Sequence, residues 1–143
     1  MRLPKIATVV VLVALCLPSA SPLAAADSAA DSAPMEAAMR WLALIDRGTY
    51  GAGWERAASY LQGIVMKDDL IKALKAVRTP LGAVISRRLR SARSVTSLPG
   101  MPDGIYVVIQ YDTVFAKKKK AVETITPTRE SDGAWRVAGY YIR

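Results

Sequence analysis

Residues 105–115, IYVVIQYDTVF, decide the fold. Ile105, Val107, Ile109, Tyr111, Thr113 and Phe115 recur at every second position, so an extended backbone places all six on one face. Working outward, LPGMPDG (98–104) is a turn cluster on one side, and the four lysines 117–120 form the turn on the other. Before the first turn, VISRRLRSARSVTS (84–97) has no helical stripe and alternates imperfectly, as a long, partly exposed strand would. After the lysines, Val122–Thr128 reads as a third strand, Ser131-Asp132-Gly133 as a third turn and Ala134–Ile142 as the closing strand.

The preceding half has a different period. Met35, Ala38, Trp41, Leu42 and Ile45 share a face at helical spacing, with Pro34 suited to open that helix, Glu36 to its positive end and Gly48 to its close. Gly51 and Gly53 mark a break, and Trp54, Ala57, Ala58 and Leu61 form a second stripe. Lys67-Asp68-Asp69 offers an N-cap for a third helix, with Leu70, Ile71, Leu74 and Val77 inward and Lys72 and Lys75 outward. That helix should close near Arg78, because Thr79 precedes Pro80. About three helices followed by four strands on short turns predict a single α+β domain over residues 34–143, an antiparallel meander packed against the helices. There is no βαβ alternation to support a parallel sheet.

Residues 1–26, MRLPKIATVVVLVALCLPSASPLAAA, read as a cleavable signal peptide. Arg2 and Lys5 make a basic start, and the apolar run Ile6–Leu17 is too short for a permanent span. Ala24 and Ala26 occupy the −3 and −1 positions of a cleavage site before Asp27. Leu15 precedes Cys16 where a lipoprotein signal has a small residue, so Cys16 leaves with the leader. The expected product is periplasmic or secreted and soluble, with no transmembrane segment after cleavage and a flexible lead-in over 27–33 (DSAADSA). Losing Arg2 and Lys5 lowers the net charge from +8 to +6.

Exclusions carry much of the functional content. The chain has no histidine and no asparagine, and its single cysteine is Cys16. The usual zinc and copper sites, Ser-His-Asp and Cys-His catalysis, and N-glycosylation are thereby excluded. No P-loop, dinucleotide fingerprint, G-x-S-x-G or S-x-x-K motif occurs, and Asp68-Asp69 lacks calcium-loop spacing. No cofactor, metal or catalytic residue is assigned.

Five segments, IDRGTYGAGW (45–54), RTPLG (78–82), LPGMPDGIYVV (98–108), AVETIT (121–126) and DGAWRVAGYYIR (132–143), occur in this order. Together they resemble an exported bacterial family catalogued as domain of unknown function 4019, over about residues 35–143. The resemblance implies bacterial export and a compact α+β unit, but no reaction and no site residues. The ending D-G-x-W-R-V-A-G-Y is also similar to the last strands of nuclear-transport-factor-2-like and cystatin-like folds, in which a cone-shaped pocket often holds a ligand. A shared fold does not imply a shared function.

Several residues are candidates for a site. Lys117, Lys118, Lys119 and Lys120 form either a solvated tip that keeps strand edges apart or a contact for anionic surfaces, with Arg87, Arg88, Arg90 and Arg93 as support spread over both strand faces. Glu123 lies between Ala121 and Ile125 on one strand face. If that face is inward, a carboxylate enters an apolar surface where it could serve as a general base; if Val122, Thr124 and Thr126 point inward instead, it faces water. Tyr111 and Tyr141 accompany it as candidate ligand contacts. Asp46 at a helix C-terminus opposes the dipole and suggests a hydrogen-bonding role in the loop toward Tyr50 or Trp54. Trp41, Trp54 and Trp135 are read as core. These features point to an exported binding or interaction module that is not an enzyme, with an anionic envelope component or another exported protein as partner and nucleic acid disfavoured. The alternatives are a pocket enzyme or small-ligand receptor using Glu123, and an envelope-associated protein binding anionic surfaces through Lys117–Lys120.

Overall fold

The computed structural model describes residues 22–143, with side chains from Ser32 onward; residues 1–21, most of the expected signal peptide, lie outside the described residues. Among the described residues four helices, α1 (Pro22–Asp46), α2 (Tyr50–Glu55), α3 (Ser59–Ile64) and α4 (Lys67–Arg78), precede four strands. The strands are β1 (Val84–Val95), β2 (Tyr106–Phe115), β3 (Lys118–Arg129) and β4 (Trp135–Ile142), and they form one antiparallel sheet in the order β1-β2-β3-β4. The expected α+β meander is therefore present.

Several details differ from the sequence reading. The first helix starts at Pro22, so Pro34 lies inside it instead of opening it. Six of the twelve residues 22–33 are alanine, the residue of highest helix propensity. The second apolar stripe is divided between α2 and α3, because Ala57 and Ala58 turn extended to meet β4: Ala57 bridges Val137, and the Ala58 N–H donates to the Val137 carbonyl at 2.8 Å. The N-cap of α4 is Met66, without a side-chain cap, and Asp68 and Asp69 sit within its first turn, where their charge favours the helix dipole. The hairpin after β2 turns on Ala116 and Lys117 alone, which places Lys118, Lys119 and Lys120 in β3.

Alternation along β2 sends Val107, Ile109, Tyr111, Thr113 and Phe115 inward, all buried, as expected. Ile105, just before the strand, is half-exposed. On the helix side the core joins Ala38, Trp41, Leu42 and Ile45 of α1 to Leu74 of α4. Trp41 also donates its indole N–H to the Gly53 carbonyl at 2.8 Å, fixing α2 against α1. In α4 the inward line is Leu70, Leu74 and Arg78, while Val77 is largely exposed. Pro127 sits within the central strand β3 at a register shift between Thr126 and Pro127, a place where a missing N–H is tolerated. Gly82 joins the 3-10 turn Thr79–Leu81 to β1 with φ 73° and ψ −163°, a conformation open essentially to glycine alone. α1 packs over β3 and β4, and α3 against β4. The opposite face is covered around Tyr106 by Ala58, Tyr60 of α3, Leu98 and Met101.

Candidate functional site

Two polar constellations lie on opposite faces of the sheet. The inner one gathers side chains from α1, α4 and all four strands. Register pairs Tyr111 with Glu123 and Arg87 with Thr113, bringing Glu123 to the middle of the helix-covered face with no exposed surface. Glu123 Oε1 accepts from Arg87 Nε at 2.7 Å and from Thr113 Oγ1 at 2.6 Å, and Oε2 accepts from Arg87 Nη2 at 3.2 Å and from the Tyr140 hydroxyl. The other side of the Arg87 guanidinium faces Asp46, with Nη1 to Oδ2 at 2.8 Å and Nη2 to Oδ1 at 3.0 Å. Asp46 Oδ1 accepts a further bond from Arg78 Nη2 at 2.8 Å, and Arg78 in turn lies over the Phe115 ring at 5.1 Å.

Two guanidiniums thus meet two carboxylates, and the cluster is internally balanced. Asp46 is pulled both ways: burial pushes its pKa up, but hydrogen bonds and charge from Arg87 and Arg78 hold it below the ordinary 3.8. Burial alone would make Arg87 easier to deprotonate; its bonds to Asp46 and Glu123 outweigh that and raise its pKa. Burial, reinforced by the Glu123 charge, raises the Tyr140 phenol. Burial likewise raises the Tyr111 phenol, whose hydroxyl has no hydrogen-bond partner among the described residues.

Glu123 does lie on the inner face, but not in an apolar patch. A carboxylate offers about four lone-pair directions. All four are taken by protein donors, so none is directed at a substrate proton. Chemically this cluster is a latch joining α1, α4, β1 and β3. Asp46 is part of that latch and does not order the following loop, which is closed by the Thr49 hydroxyl on the Leu44 carbonyl at 2.7 Å and the Gly48 N–H on the Ile45 carbonyl at 3.0 Å.

The outer constellation follows from the same alternation read on the other face. Arg88 pairs with Asp112, Asp112 with Val122, and Val122 exchanges both backbone hydrogen bonds with Arg143 at 2.9 and 3.0 Å. One row therefore runs from β1 across β2 and β3 to Arg143, just past the end of β4. Around it lies an open groove of about 610 Å³ whose rim carries Arg88, Arg90, Lys119, Lys120 and Arg143. Val114 and Val122 supply apolar floor. Among the described residues Asp112 is the one acidic side chain lining it, and Arg90 meets it at 3.3 Å in an exposed pair, an arrangement worth roughly 0–1 kcal/mol that does little to offset the basic excess. Arg143 also lies over the Tyr141 ring at 5.9 Å, within cation–π range, and Tyr141 is half-exposed.

The structure thus brings Lys119 and Lys120 together with Arg88 and Arg90 of β1 and with Arg143, which follows β4, and places Tyr141 beside Arg143. It sends Arg87, Glu123 and Tyr111 to the inner face. Lys117 is at the turn, Lys118 pairs across it with Phe115, and Arg93 stands on the outer face beyond the groove lining. Trp41 is core, whereas Trp54 and Trp135 are partly buried. Sequence reasoning missed Arg143 as a site residue and the Asp46–Arg78–Arg87 contacts. Alternation counted outward from Thr113 could have put Arg88 and Val122 on one face; nothing local signals the inner contacts.

Among the described residues no group of three or more acidic, histidine or cysteine side chains could hold a metal ion, and no helix is long and apolar enough to cross a membrane. A family model described as "Protein of unknown function (DUF4019)" matches residues 37–140, and the chain belongs to that family. No curated protein and no solved structure matches.

Proposed function

We propose that this DUF4019 protein is an exported, non-catalytic binding module that engages anionic components of the cell envelope through the open face of its sheet. The observation that carries the reading is the convergence of five basic side chains from β1, β3 and the chain's last residue around one groove that has a single acidic side chain. Such a concentration of one sign raises the local level of anions and draws them in. Against an enzyme stands the saturation of Glu123, whose four acceptor directions are all occupied. Export rests on the sequence of residues 1–26. Its test is the N-terminus of the protein recovered from its host: Asp27 supports export, and an intact Met1 overturns it.

The binding test is sedimentation with vesicles, comparing an equimolar phosphatidylglycerol–phosphatidylcholine mixture with phosphatidylcholine alone. Each basic residue at such a surface contributes about 1 kcal/mol. The double variant Lys119→Gln/Lys120→Gln should therefore bind anionic vesicles about thirtyfold more weakly, at 1.4 kcal/mol per factor of ten. Lys117→Gln, outside the groove, should change binding far less. Binding should vanish at about 1 M salt, where the screening length falls to about 3 Å. Equal affinity of the wild type and the double variant would sink the reading.

A further inference from the structure

We infer that the groove seats an anionic amphiphile, its charged head held by the basic rim and its apolar chain lying along the sheet over Val114 and Val122. This rests on the anionic-binding reading and narrows it to one ligand chemistry. A surface meant only for charge would gain nothing from apolar side chains in the middle of its cations. Here Val114 and Val122, on neighbouring strands, line the same groove as Arg88, Arg90, Lys119, Lys120 and Arg143.

Register extends the apolar path. Val122 aligns with Arg143, and Thr124, two residues further along β3, pairs with Tyr141 of β4. Val114 lies two residues beyond Asp112, the partner of Val122, in the opposite direction. Val114, Val122 and Tyr141 therefore step diagonally across β2, β3 and β4 on the outer face, each step of the kind that spans about 7–8 Å. Tyr141 is 52% exposed, so its ring is open to contact. On this face α3 packs through Tyr60 at the Tyr106 end, with none of the groove-lining residues in that contact, and the groove's volume of about 610 Å³ falls in the roughly 300–1,000 Å³ range of small-molecule sites.

The head is a phosphate ester or a carboxylate. Arg88, Arg90 and Arg143 present planar forks that match the oxygens of either, and Lys119 and Lys120 add point charges. The chain meets protein on one side only. Full burial of a methylene is worth about 0.8 kcal/mol, close to fourfold in affinity, so half-burial should give about twofold per methylene.

Calorimetric titration below the micelle concentration, with butyl phosphate and octyl phosphate as probes, tests this directly. The four extra methylenes of octyl phosphate should tighten binding by about sixteenfold at about twofold each. Val114→Thr/Val122→Thr keeps the β-branched shape that strands favour. It should weaken octyl phosphate severalfold and leave butyl phosphate unchanged, whereas Arg88→Gln should weaken both. Octyl phosphate should also release the protein from phosphatidylglycerol vesicles, because one groove serves free and membrane-borne amphiphiles alike. Equal affinity for the two esters, in the wild type alone, overturns the inference and leaves the charge-only reading standing. So does vesicle binding that persists at saturating octyl phosphate. Failure of both vesicles and esters to bind overturns both.

Discussion

Replacing Glu123 by leucine should cost the domain about 3–5 kcal/mol, the loss that follows when one partner of a buried ion pair is removed. The structure gives the parts of that sum. Two bonds from the Arg87 guanidinium disappear, and charged hydrogen bonds contribute about 1.5–3 kcal/mol each. The Thr113 and Tyr140 hydroxyls lose their acceptor within a buried face. Arg87 keeps both bonds to Asp46, which limits the stranded charge and holds the total to this range. Domains of this kind are stable by only about 5–15 kcal/mol, so the change removes a large part of the margin. Near 100 residues each kcal/mol moves the thermal midpoint by about 4–8 °C, so a drop of at least about 12 °C should be seen. Urea unfolding followed by tryptophan fluorescence suits the measurement, because Trp41 meets the Tyr140 ring edge-on at 5.2 Å and reports on the same layer. Arg87→Leu should cost at least as much, since Glu123 then keeps no ion pair among the described residues. The double variant Arg87→Leu/Glu123→Leu should cost clearly less than the two single losses added together, because two apolar side chains replace a pair and not half of one. A loss below about 1 kcal/mol for Glu123→Leu, the size of an exposed pair, would refute the burial and the latch together.

Two further outcomes follow from the same geometry. Asp46 has a folded pKa below its ordinary 3.8, because Arg87 and Arg78 outweigh burial. Its contribution is therefore fully present above about pH 4 and is lost as pH falls through the lower folded value. Thermal midpoints of the wild type and Asp46→Asn should differ by a constant amount from about pH 5 to 7 and converge in stronger acid; a gap that widens on acidification would contradict the ion pairs. Trp41→Ala should cost about 3–5 kcal/mol, since the ring is 3% exposed and its N–H is bonded, while Trp135→Ala, half-covered at the start of β4, should cost about 2 kcal/mol. Urea midpoints would measure both, and equal losses would show that Trp135 is as deeply packed as Trp41.

Strands, turns and their order were legible in the sequence because they are set locally. IYVVIQYDTVF alternates with period two whatever surrounds it, and SDG and LPGMPDG turn the chain without help from distant residues. The inward face of β2 was readable for the same reason, since only one of its two faces is uniformly apolar or β-branched. β3 was different. Ala121, Glu123 and Ile125 on one face and Val122, Thr124 and Thr126 on the other are both plausible inner sets, and Thr124 is in fact nearly as buried as Glu123. Local pattern could not choose between them.

Register chose. Pairing Tyr111 with Glu123 turns the carboxylate inward, and burying it there requires a cation that the chain supplies from 36 residues earlier, Arg87. The sequence spread Arg87, Arg88, Arg90 and Arg93 along one strand with nothing to mark which would be buried. Packing of α1 and α4 over the inner face gave Arg87 to Asp46 and Glu123, and left Arg88 and Arg90 to join Lys119, Lys120 and Arg143 on the outer one. The sequence by itself determined the meander, its turns and the excess of positive charge, because each depends on near neighbours or on composition. Only the tertiary structure decided which cations are buried in the latch and which stand on the outer face, because a one-residue change in strand register exchanges the two faces.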